Sequence, residues 1–79
     1  MEIKVLGTGC ARCKNLEQST RQAAQELGVS ASIEKVEDMQ KIMEYGIMRT
    51  PGLVVDGKVI LSGQVPRVDE LKVLLAKYM

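Results

Sequence analysis

The only two cysteines of the chain stand three residues apart, in Thr8-Gly9-Cys10-Ala11-Arg12-Cys13-Lys14. Two thiols at this spacing can exchange an electron pair, ligate a soft metal ion, or staple the chain. On the first turn of a helix, side chains three apart lie one above the other. Their sulfurs then come within bonding reach without large strain. A helix N-terminus also offers unpartnered N–H groups and the positive end of the helix dipole, and both favour a thiolate. Arg12 and Lys14 add positive charge, while the nearest acids, Glu2 and Glu17, stand further along the chain. One thiol is therefore expected to titrate below a free cysteine. Cys10, at the helix mouth, is expected to attack. Cys13, inside the first turn, is expected to be less accessible and to resolve the mixed disulfide.

The staple reading fails on magnitude, because closing so short a loop contributes only about 2 kcal/mol. A lone pair of cysteines in a reducing compartment is more often catalytic or metal-binding than structural. The metal reading is stronger, since two thiolates can hold Cu(I). They cannot complete a tetrahedral zinc site alone, and the chain has no histidine to help. Redox exchange is favoured, with soft-metal binding or carriage as the alternative. No bound cofactor is expected, because the sulfurs themselves carry the electrons.

The 79 residues allow one small domain, here taken as residues 1–79. With no Trp and no Phe, the core must come from Leu, Ile, Val, Met and Ala. A net charge of +1 with interspersed signs gives no basic block, so nucleic acid is not an expected partner. The longest apolar run is too short for a membrane span. The opening Met1-Glu2-Ile3-Lys4-Val5 alternates like a strand rather than a secretion signal. A cytoplasmic location is expected.

The elements that must position the cysteines follow from periodicity. Ile3–Leu6 reads as a strand broken by Gly7-Thr8-Gly9. Cys13, Leu16, Thr20, Ala23, Ala24 and Leu27 have helical spacing. Gly28 suits the helix C-terminus. Val29, Ala31 and Ile33 alternate with polar residues as a second strand. Asp38 is an N-cap for a short helix expected to turn Met39, Ile42 and Met43 inward. Leu53–Val55 and Val59–Leu61 flank Asp56-Gly57, a strong hairpin signal. Val68, Leu71, Leu74, Leu75 and Tyr78 form the buried stripe of a last helix. The order β-α-β-α-β-β-α implies a parallel first pair of strands, an antiparallel hairpin, and helices on both faces of a four-stranded mixed sheet.

Three stretches, GTGCARCKNLE, RTPGLVVDGKVILSG and VPRVDELKVLL, carry a resemblance that covers essentially the whole chain. Together they resemble the thioredoxin/glutaredoxin superfamily in its smallest form. They are most similar to the small thioredoxin-like redox-active disulfide proteins of archaea and bacteria. The resemblance implies an α/β minimal thioredoxin fold with strand order second, first, third, fourth. It implies a thiol–disulfide oxidoreductase acting on protein or small-molecule disulfides, with a reductase or thiol pool as electron donor. It also implies that Pro51 is a cis-proline set against the cysteines. By the same resemblance, Thr50 offers backbone hydrogen bonds to an extended peptide and Gly63 flanks the active site. Arg12 joins them as an active-site support. Several positions depart from the superfamily pattern. Gly9 replaces the Trp of thioredoxins, Ala11-Arg12 replaces Gly-Pro, and Lys4 stands where thioredoxins bury an aspartate that relays protons. The rival copper-chaperone pattern has a Met shortly before its first cysteine and does not end in a helix. Here that stretch is Gly7-Thr8-Gly9.

Overall fold

In the computed structural model, which describes all of residues 1–79, the chain runs β1 (Glu2–Leu6), α1 (Ala11–Leu27), β2 (Ser32–Val36), α2 (Met39–Glu44), β3 (Gly52–Val55), β4 (Lys58–Ser62) and α3 (Val68–Ala76). The four strands form one sheet in the order β2-β1-β3-β4. β1 lies parallel to β2 and antiparallel to β3, and β3 lies antiparallel to β4. This is the mixed sheet expected from the order of elements.

Side-chain alternation along the strands divides the core into two layers. Ile3 and Val5 of β1, Leu53 and Val55 of β3, and Leu61 of β4 meet Leu16 and Ala23 of α1 and Leu71 and Leu75 of α3. On the opposite face Leu6, Val36 and Val54 meet Ile42 of α2, with Tyr45, Ile47 and Val59 packed around them. α1 and α3 thus cover one face and α2 the other. Thr20 is fully buried within the first layer, and its hydroxyl donates to the Leu16 carbonyl at 2.7 Å.

Local chemistry explains the boundaries. Gly28 takes a left-handed φ of 72° after α1, a conformation that costs glycine little. The Asp38 carboxylate accepts the Gln40 N–H at 2.9 Å and starts α2. Asp56 and Gly57, at φ 49° and 84°, form the two-residue turn between β3 and β4. Both angles are positive, as the tight right-twisted hairpin requires.

One expectation about burial needs correction. Met39 and Met43 do not turn inward; they are 51% and 66% exposed. α2 is only six residues long and places one residue, Ile42, fully against the sheet. Tyr45 and Ile47, beyond its end, complete that layer in their place. β4 also carries an irregularity. Leu53 pairs with Leu61 but Val54 pairs with Val59, so Ile60 is an extra residue in the strand.

Candidate active site

The cysteine pair sits where β1 hands over to α1. Cys10 is the N-cap of α1, in extended conformation, and its sulfur accepts the Cys13 N–H at 3.2 Å. The Lys14 N–H closes the first helical turn onto the Cys10 carbonyl at 3.0 Å. The two cysteines are joined as a disulfide, with Cα atoms 5.1 Å apart. Cys10 is exposed, whereas Cys13 is 5% exposed. No acid stands in the first turn of α1, while Arg12 and Lys14 do. The local field and the helix end therefore both favour a thiolate when the pair is reduced.

Gly7 does more than break the strand. It is buried, and its N–H donates to the Val36 carbonyl at 2.9 Å. A Cβ at this position would stand 2.7 Å from the Cys13 Cβ and would collide with the Cys13 sulfur. The missing side chain is what lets the inner sulfur settle against the end of β1.

The remaining expected residues come from the loops before β3 and after β4. Pro51 is buried, Thr50 and Gly63 are half-buried, and the Thr50–Pro51 peptide bond is cis. The Gly63 N–H donates to the Pro51 carbonyl at 2.7 Å. Arg12 is exposed, and its guanidinium donates to the Gly63 carbonyl at 2.7 Å. Two hydrogen bonds thus run from the cysteine turn through Gly63 to Pro51. Gly63 has a φ of 80°, and the Arg49 side chain lies where a Gly63 Cβ would be. The Ser62 hydroxyl donates to the Arg49 carbonyl at 3.3 Å, a second tie between these loops. Sequence spacing carries no signal for Arg49, because its contact depends on how β4 ends.

Lys4, expected by counting back from Cys10 to stand where thioredoxins bury an aspartate, does not share the face of β1 that carries Ile3 and Val5. It shares the α2 face of β1 with Leu6. A side-chain hydrogen bond with Tyr45 raises its pKa.

A disulfide-bonded cysteine pair at a helix mouth agrees with what comparison with known proteins finds. The family model described as "Thioredoxin domain" matches residues 1–76. The chain belongs to the thioredoxin family. It is 43% identical over 76 residues to a thioredoxin of Methanothermobacter thermautotrophicus, covering 96% of this chain and 99% of that one. It is 36% identical over 77 residues to a thioredoxin of Methanocaldococcus jannaschii, covering 98% of this chain and 88% of that one. The chain is accordingly a thiol–disulfide oxidoreductase whose redox pair is Cys10–Cys13. This decides between the two readings that the cysteine spacing alone left open. No helix of this thioredoxin-family chain is long and apolar enough to cross a membrane.

Proposed function

We propose that Cys10 opens the disulfide of an incoming substrate and that Cys13 resolves the resulting mixed disulfide. Accessibility carries this reading: Cys10 is exposed at the helix mouth, while Cys13 is 5% exposed. An attacking sulfur must reach a substrate, whereas a resolving one need reach only its neighbour. The Cys10 thiolate attacks a substrate sulfur, and the substrate's other sulfur leaves as a thiolate. Cys13 then attacks Cys10, closes the Cys10–Cys13 bond and releases the second substrate sulfur.

Thr50, Pro51 and Gly63 form the backbone wall along which an extended peptide would lie, held by strand-like hydrogen bonds. Arg12 supports that wall through its bond to Gly63. The substrates are protein or small-molecule disulfides, and a reductase or thiol pool returns the dithiol. Residues 1–79 act as one thioredoxin-like domain in the cytoplasm, without nucleic-acid or membrane partners.

The test is paired. In the reduced protein, iodoacetamide should alkylate Cys10 much faster than Cys13 at neutral pH, read by peptide mass mapping. Cys13→Ser should retain a stable mixed disulfide with a disulfide-bonded peptide, and Cys10→Ser should retain little. Equal labelling of both cysteines, or trapping through Cys13, would reverse the roles.

A further inference from the structure

Cys13 must lose its proton before it can attack, because the thiolate is the nucleophile. The central strands β1 and β3 offer no titratable group on this face. β1 presents Ile3 and Val5 to this face, and β3 presents Leu53 and Val55. What borders Cys13 is a cavity of about 10 Å³, lined by Val5, Gly7, Gly9, Cys13, Lys14 and Lys35. That volume suits one water molecule. Lys35 comes from β2, where it is in register with Val5 and so points to the α1 face. Its ammonium lies 3.8 Å from the Glu17 carboxylate. Glu17 is four residues beyond Cys13 on α1, one turn along the same face. Its side chain is only 16% exposed and is also held by Arg21 at 3.0 Å.

We propose that Lys35 and Glu17 are positioning residues that set the proton affinity of Cys13 from opposite sides, Lys35 favouring the thiolate across the cavity and Glu17 holding Lys35 while opposing it. The proposal rests on Cys13 being the resolving sulfur. In that step the Cys13 thiol gives its proton to water. The thiolate attacks the Cys10 sulfur, the Cys10–Cys13 bond forms, and the bond from Cys10 to the substrate sulfur breaks. The substrate sulfur leaves with the electron pair and takes a proton from solvent. Over both steps the dithiol loses two electrons and the substrate disulfide gains them.

Other charges face this region, and each has a different setting. Arg12 is committed to the Gly63 carbonyl, and Arg49 lies over Gly63. The Glu37 carboxylate lies 3.4 Å from where a Gly9 Cβ would be but does not line the cavity. Lys14 lines the same cavity but is exposed and forms no ion pair. Lys35 alone is both at the cavity and anchored to a group on α1.

Stopped-flow reaction of the reduced protein with dithiodipyridine separates the two sulfurs. One thiopyridone is released as Cys10 attacks, and a second as Cys13 resolves. Lys35→Gln should slow the second phase about 3–10-fold near neutral pH and move its pH midpoint upward. Glu17→Gln should move the midpoint downward, and Lys35→Arg should restore most of the rate. Concentrated salt should shrink both shifts, since the pair is partly exposed. Shifts of the same sign in the two variants, unmoved midpoints, or a larger effect from Lys14→Gln overturn the proposal. If Lys35→Gln does not fold, the sign of the Glu17→Gln shift decides. A Cys10→Ser protein whose Cys13 releases its single thiopyridone as fast as the first phase of the wild type would instead overturn the assignment of the two sulfurs.

Discussion

At Gly7 the demand for glycine is steric rather than conformational. Its φ is not positive, so alanine could adopt the backbone, but the new methyl would occupy the space of the Cys13 side chain. The nearest atoms belong to the first turn of α1, which cannot swing aside as a long surface side chain could. Gly7→Ala should therefore destabilise the oxidised protein by about 1–3 kcal/mol, the usual cost of overpacking. It should also leave Cys13 more open to alkylation after reduction. Urea unfolding and differential labelling read these two effects, and a variant as stable as the wild type with Cys13 still protected would show that the sulfur has other room. Glycine at position 63 answers a different need. There a positive φ of 80° and the Arg49 side chain both exclude a Cβ.

Between elements, the decisive link is the pair of hydrogen bonds from Arg12 to Gly63 and from Gly63 to Pro51. It ties the start of α1 to the loops at the ends of β3 and β4. The bond from Arg12 is exposed, so its removal should cost no more than about 1.5 kcal/mol of stability. Its effect on exchange should be larger, because the wall beside Cys10 loses its anchor. Arg12→Met should lower the rate of exchange with a disulfide-bonded peptide several-fold. Arg12→Lys separates the two contributions of the arginine. It keeps the charge near Cys10 but not the planar fork that reaches the Gly63 carbonyl. It should preserve the alkylation rate of Cys10 while exchange with the peptide stays low. Full recovery of both rates would mean that only the charge matters.

Across the whole molecule, α1 and α3 are joined by their shared apolar layer and by an ion pair between Glu26 and Lys72 at 3.1 Å. Hydrogen bonds from Gln22 and then Lys72 hold the Glu26 carboxyl below its ordinary value of 4.5. A carboxyl depressed in the folded state binds its proton more readily once unfolded. Its contribution is therefore present above pH 4.5 and is lost as pH falls through the folded value. Glu26→Gln should lower stability above pH 4.5 and leave it nearly unchanged at the acid end, which flattens the acid limb of the stability curve. Urea midpoints measured from pH 3 to pH 8 test this. An acid limb identical to that of the wild type would assign the loss to other carboxylates.

Much of the site is written in short stretches. Cys10 and Cys13 are three apart, Asp56-Gly57 makes a hairpin, Gly28 ends α1 and Asp38 starts α2. Each of these depends on backbone conformation within a few residues, so local sequence is enough to decide it. The element order then limits the sheet to few topologies, and the one observed is among them. Other features depend on distances between residues far apart in the chain. The extra residue Ile60 in β4, the exposure of Met39 and Met43, and the bond from Arg12 to Gly63 are of this kind. So are the contact of Gly7 with Cys13 and the meeting of Lys35 with Glu17. Periodicity says which face of a helix or strand is buried. It does not say how far one element has slid along another, and at hydrogen-bond range a displacement of an ångström or two decides which side chains touch.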